Sequence, residues 1–183
     1  MDKAQVKTAQ LNDLSLVRKL LTDTAKWLRE KGSTQWAGLL KGEDVHNIEE
    51  AIKRKEVFLV YRSQKIIGTF ALWSTQTKWD QELWGENESN DFLYLHRLAL
   101  GNNEHGRNAG SILLDKAKEI TISKDKKGLR LDCLADNTYL NTFYKKNDFS
   151  FQKGVKGYFN GIDHKDYHLY YWENRKKVLK NEI

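Results

Sequence analysis

Residues 92–110 read Phe92-Leu93-Tyr94-Leu95-His96-Arg97-Leu98-Ala99-Leu100-Gly101-Asn102-Asn103-Glu104-His105-Gly106-Arg107-Asn108-Ala109-Gly110. The first nine are almost continuously apolar, which predicts a strand at the middle of a sheet, buried on both faces. The next ten hold three glycines and three asparagines, residue types that accept the left-handed backbone angles of a tight loop. Beyond Ser111, Ile112, Leu113, Ala117 and Ile120 recur at helical spacing. A central strand, a glycine-rich loop and a helix together make an anion site. Loop amides converge there, and the helix N-terminus adds unsatisfied N–H groups and partial positive charge. The spacing matches neither GxGxxG nor GxxxxGK[ST], which argues against hydride transfer and P-loop nucleotide chemistry.

Working outward, residues 4–8 predict a short strand. Leu14, Val17, Leu20, Leu21, Ala25 and Leu28 predict a helix capped by Asn12 or Asp13 and ended at Gly32. A second amphipathic stretch follows Asp44, with Val45, Ile48, Ala51 and Ile52 on one side. Residues 56–61 and 66–73 read as a hairpin across a turn at 62–65, and 74–90 as a polar loop or short irregular element carrying Trp79 and Trp84. Downstream, Gly128 restarts a strand to Leu134 and residues 138–146 form a short helix. Strands near 149–157 and 166–173 pair through Asn160-Gly161-Ile162-Asp163. The order β-α-α-β-β-β-α-β-α-β-β predicts an α/β (α+β) fold in a single domain over 1–183: a mixed, mostly antiparallel central sheet flanked by helices.

The chain of 183 residues is 39% hydrophobic and 31% charged, a globular composition. No apolar run approaches the ~18–20 residues of a membrane span, and Met1-Asp2-Lys3-Ala4-Gln5 lacks the apolar core of a signal peptide. No membrane partner is therefore expected. Cys133 alone excludes an intramolecular disulfide, which suits a cytoplasmic protein, and a thiol on a strand without a neighbouring base reads as buried and inert. Proline is absent where average usage would give about nine, so glycine and asparagine carry the turns. The net charge of +6 is unevenly spread: residues 116–130 carry a local +4, the tail 174–183 a local +3, and residues 73–90 a local −3. The two basic runs read as a solvated helix face and a frayed tail. His164 and His168 fall in the terminal hairpin, where a spacing of four makes no metal pair.

The strand, His105-Gly106-Arg107-Asn108-Ala109-Gly110, the helix, the next strand and then Asn137, Tyr144 and Phe149 resemble the GNAT superfamily of acyl-CoA-dependent N-acetyltransferases over residues 92–150. That family's loop reads Arg or Gln, two residues, Gly, one residue, then Gly or Ala. Here His105 stands first, Asn108 takes the first glycine position and Gly110 the last. The family's later Gly-Phe pair is Asp148-Phe149. Asn and Asp are the non-glycine residues that most readily enter left-handed space, so the backbone is expected to survive both replacements at about 1–2 kcal/mol.

The resemblance implies roles position by position. Backbone groups of Leu98, Ala99 and Leu100 would meet the pantetheine arm of acetyl-CoA. Residues His105, Gly106, Arg107, Asn108, Ala109, Gly110 and Ser111 would surround its pyrophosphate, Asn137 would bond the pantetheine chain, and Tyr144 would meet the thioester sulfur as proton donor. His96, on the central strand where the family often places a carboxylate, is the candidate base. The expected acceptor is a small, cationic primary amine. Trp79, Glu82 and Trp84 would bind it, with the 27–36 segment completing the pocket. The expected activity is direct attack of that amine on the acetyl thioester. The alternatives are a non-catalytic CoA- or RNA-binding module of the same fold and a protein N-acetyltransferase. A nucleic-acid partner is not expected, and a homodimer through the C-terminal strands is a family-level expectation.

Overall fold

The computed structural model describes residues 3–44 and 47–180. Val45, placed above on the second amphipathic stretch, and Glu182 of the basic tail lie outside them. Seven strands form one mixed sheet: β1 (Gln5–Thr8), β2 (Val57–Arg62), β3 (Lys65–Trp73), β4 (Phe92–Leu100), β5 (Gly128–Leu134), β6 (Ser150–Phe159) and β7 (His164–Glu173). Their order is β1-β2-β3-β4-β5-β7-β6. The helices are α1 (Leu14–Glu30), α2 (Ala37–Leu40), α3 (Ile48–Lys53), α4 (Lys78–Trp84), α5 (Ala109–Ser123), α6 (Thr138–Lys146) and α7 (Arg175–Lys180). Every strand and long helix predicted from the sequence is present. The chain divides into two compact units, 1–72 with 96–116 and 73–95 with 117–183.

In the first unit, β1 pairs antiparallel with β2 and β2 with β3. Ser63 and Gln64 make the β2–β3 turn at φ 50° and 63°, so two non-glycine residues sit in left-handed space. The helix α1 buries Val17, Leu20, Leu21 and Ala25, as its spacing requires. Asp13 does not cap it through its side chain; the carboxylate instead accepts the Gln10 amide at 2.8 Å beneath a 3-10 turn over Leu11–Asp13. Ile48, Ala51 and Ile52 are buried on α3. On α5, Leu113 and Leu114 are fully buried while Ile112 is half-buried. Gly68 lets α5 approach β3: a Cβ there would lie 2.6 Å from Leu113 and 2.5 Å from the Ala99 carbonyl.

In the second unit, β4 pairs parallel with β5 over Phe92–Tyr94, and β7 lies antiparallel between β5 and β6. The stretch 74–90, expected to be a polar loop or short irregular element, contains the regular helix α4. Its start is a capping box: Thr77 Oγ1 accepts the Asp80 amide at 3.2 Å while Asp80 Oδ2 accepts the Thr77 amide at 2.9 Å. Helical spacing then turns Leu83 inward onto Tyr167 and Leu169, with Trp79 and Trp84 packed at the margin.

The basic run 116–130 is not a solvated face. Lys118 is 9% exposed, donates to the Asn147 carbonyl at 2.7 Å and lies over the Phe149 and Trp172 rings. Lys126, equally buried, donates to the Asn90 carbonyl at 2.6 Å, and Lys127 pairs with Asp91 at 2.9 Å. Arg130 donates to the Tyr94 hydroxyl at 2.9 Å among the rings of Trp84, Phe92 and Tyr94. These cations therefore fasten local structure. The tail is not frayed over 175–180 either, since α7 forms there and Lys177 pairs with Asp125. Among the described residues, no helix is long and apolar enough to cross a membrane.

Candidate active site

The first unit carries the glycine-rich loop expected to hold an anion. Gly106 has φ 75° and Asn108 φ 60°, so Asn108 occupies the left-handed position that its replacement of glycine demanded. The first intrahelical bond of α5 runs from the Ile112 amide to the Asn108 carbonyl at 3.2 Å. The amides of Ala109, Gly110 and Ser111 precede it and have no acceptor within the helix. Arg107 is exposed beside them. Amides without a helical acceptor, a helix N-terminus and an arginine are the donor types a pyrophosphate needs, so these residues fit the phosphate end of an acyl-CoA.

His105 lies face to face with Trp27 of α1, ring centroids 4.2 Å apart and planes 14° apart. Trp27 therefore braces the loop. Burial, and secondarily the Lys31 ammonium, push the His105 imidazole below its ordinary pKa. The rest of the cofactor-side set lies at the end of β4: Ala99 is buried, and His96, Leu98 and Leu100 are half-buried. Between them Arg97 sits at φ 51°, a left-handed kink within the strand.

The second unit holds Asn137 and Tyr144 at opposite ends of α6. Asn137 caps the helix, its Oδ1 accepting the Leu140 amide at 2.9 Å, which leaves the amide nitrogen as the group a ligand can meet. At the C-terminal end, Asp148 has φ 66°. The Phe149 amide donates to the Tyr144 carbonyl at 3.1 Å, and the Asp148 amide to the Lys145 carbonyl at 3.2 Å. This is a complete Schellman closure, with Asp148 in the position usually given to glycine. It also fixes Tyr144, which is 8% exposed and packs against Phe143, Phe149 and Tyr170. Tyr170 is held in turn by Asn141, to whose Oδ1 it donates at 2.6 Å. Burial pushes the Tyr144 phenol well above its ordinary range, so it stays protonated at any working pH. Cys133 is buried and its thiol is pushed up to about 12 by burial, then by Asp132; it is no nucleophile.

The same unit gathers Trp79 and Glu82 with partners that the sequence did not indicate. Trp79 meets Tyr158 at 5.0 Å and Tyr167 at 5.1 Å, both nearly perpendicular, and its indole N–H donates to Asp132 at 3.1 Å. Glu82 accepts the Tyr158 hydroxyl. Burial and Glu82 raise the Tyr158 pKa, keeping that hydroxyl a donor. Three mutually perpendicular rings thus stand beside two carboxylates, with the Lys78 ammonium 3.8 Å from Glu82. Trp84 differs: the Arg130 guanidinium stands 4.7 Å from its ring, so a cation of the protein already covers it. Asp132, Tyr158 and Tyr167 escaped sequence reading because they lie 53, 79 and 88 positions from Trp79.

The sequence profile of the acetyltransferase (GNAT) family matches residues 21–149. An uncharacterized N-acetyltransferase of Bacillus subtilis (strain 168), YesJ, is 35% identical over 162 residues, 88% of this chain and 86% of its own. The crystal structure of a GNAT-family acetyltransferase from Listeria monocytogenes 4b F2365 superposes with a TM-score of 0.75 at 34% identity, over 93% of this chain and 94% of that one. The PaiA N-acetyltransferase of Thermoplasma acidophilum, in complex with coenzyme A, shares the fold at a TM-score of 0.64 and 17% identity, over 90% of this chain and 98% of its own. The chain belongs to the GNAT family of acetyltransferases and is an acyltransferase.

Proposed function

We propose that the enzyme transfers an acetyl group from acetyl-CoA to the primary amine of a small cationic molecule. The observation that carries the acceptor class is the corner of Trp79, Tyr158 and Tyr167 with Glu82 and Asp132. Aromatic faces and carboxylates attract an ammonium group by the ring quadrupole and by Coulomb terms, and an acidic acceptor would be repelled. Gly106, Arg107, Asn108 and the first amides of α5 hold the pyrophosphate, and the amide nitrogen of Asn137 bonds the pantetheine chain. The bound thioester supplies an activated acyl carbon. His96, directly or through water, takes the proton that the amine must lose. Tyr144, kept neutral by burial, gives its proton to the departing sulfur.

Glu82→Lys in a free-thiol-release assay across a panel of amines tests the acceptor reading. It should raise KM about tenfold for amines with a second positive charge and little for neutral-tailed ones. An equal KM for both classes in wild type and variant would sink the cationic acceptor while leaving acyl transfer standing.

A further inference from the structure

Tyr158 reaches Trp79 and Glu82 only because β6 carries one extra residue. Val155 stands opposite Tyr167 of β7 and Tyr158 opposite Lys165, so three steps along β6 answer two along β7. Residues three apart in a regular strand point to opposite faces. Here both Val155 and Tyr158 pack on the cluster of Leu83, Tyr167 and Leu169. A regular continuation from Val155 would set Tyr158 opposite His164, on the other face of the sheet, with its ring away from Trp79 and its hydroxyl away from Glu82.

Two residues that the acetyl-transfer scheme does not use hold this bulge. Gly157 has φ 63°, left-handed space that a β-branched residue would enter only under strain. A Cβ added there would meet nothing within 4 Å, so the position needs glycine for its backbone angle and not for want of room. The Gly157 amide donates to Asp166 Oδ1 of β7 at 2.8 Å. Asp166 is fixed in turn, its carbonyl accepting the Ala135 amide at 2.9 Å. We infer that Gly157 and Asp166 are positioning residues that set the acceptor preference through Tyr158, by turning its ring onto Trp79 and its hydroxyl onto Glu82. The inference rests on the reading of that corner as the acceptor site.

Two readouts test it in Asp166→Ala, Gly157→Val, Asp166→Asn and Gly157→Asn, beside wild type and Tyr158→Ala. The first is nitration of Tyr158 by tetranitromethane, read by peptide mass spectrometry; it reports release of the phenol from its carboxylate partner and needs no substrate. The second is steady-state kinetics with a linear aliphatic diamine and acetyl-CoA. Asp166→Ala and Gly157→Val should raise Tyr158 nitration several-fold and KM for the diamine about three- to tenfold, with KM for acetyl-CoA unchanged. Asp166→Asn keeps an acceptor for the Gly157 amide and Gly157→Asn tolerates left-handed space, so both should stay near wild type. In the Tyr158→Ala background, Asp166→Ala should add nothing to KM. Unchanged nitration in Asp166→Ala and Gly157→Val, an equal loss in the two asparagine variants, or a KM increase that persists without Tyr158 overturns the inference and leaves the acceptor reading standing. A diamine that wild type does not turn over, or raised nitration with its KM untouched even in Tyr158→Ala, breaks the acceptor reading and the specificity role with it.

Discussion

The proposed phosphate loop and the proposed acceptor corner would recognise charge by different means. The loop would work through backbone: Gly106 and Asn108 stand in left-handed space, and the first amides of α5 have no acceptor within the helix. Side chains there can vary, which is why His105 and Asn108 stand where the family has other residues without loss of the local geometry. The corner works through side chains alone, from α4, β5, β6 and β7. Change one and the chemistry of the site changes.

The comparison breaks most sharply at Tyr144, the side chain proposed as proton donor to the departing sulfur. Tyr144→Phe should lower kcat by about 10²–10⁴ with KM for acetyl-CoA little changed. Stopped-flow thiol release checks this, and an unchanged kcat would move the proton-donor role elsewhere. At the corner, Asp132→Asn should raise KM for a cationic amine several-fold, read from steady-state kinetics with circular dichroism to confirm folding.

Backbone and side-chain recognition also differ in what the sequence discloses. The left-handed positions Asn108 and Asp148 were legible because few residue types tolerate φ near +60°, so a local motif reports a local shape. Apolar spacing disclosed the strands and the main helices for the same reason. The helix α4 was missed because its window mixes tryptophans with acids, and its evidence lies in the Thr77–Asp80 capping box. The contact of Trp79 with Asp132 needs the tertiary fold, as do the internal ties of Lys118, Lys126 and Arg130, which composition counted as surface charge.

Smaller effects sharpen the backbone side. Asn108→Val, a β-branched residue in left-handed space, should cost about 1–2 kcal/mol of stability and weaken CoA binding, whereas Asn108→Gly should do neither. Denaturant melts and titration of CoA measure both. Asp148→Gly should stabilise by up to about 1 kcal/mol, since only backbone strain is relieved in the Schellman closure. A fall in thermal midpoint would show that Asp148 contributes more through Lys118, 3.8 Å away, than it costs.

The weakest effect is pH dependence through His105. Its folded pKa lies below its unfolded one, so the unfolded chain takes up the proton first. The contribution of His105 to stability is present above its ordinary pKa of about 6.5 and is lost as pH falls through that value toward the folded one. His105→Phe, which keeps a ring on Trp27, should flatten that acid slope in thermal melts between pH 5 and pH 8. A slope unchanged by the substitution would assign it to another group.

The most direct test of the central claim is the ratio of kcat/KM for two acceptors of matched shape, one with a distal ammonium and one with a neutral tail, in wild type and Glu82→Lys. Acetyl transfer to a cationic amine received beside Trp79 predicts a wild-type ratio well above one that collapses toward one in the variant. A ratio near one in wild type, or one that Glu82→Lys leaves unchanged, would contradict it.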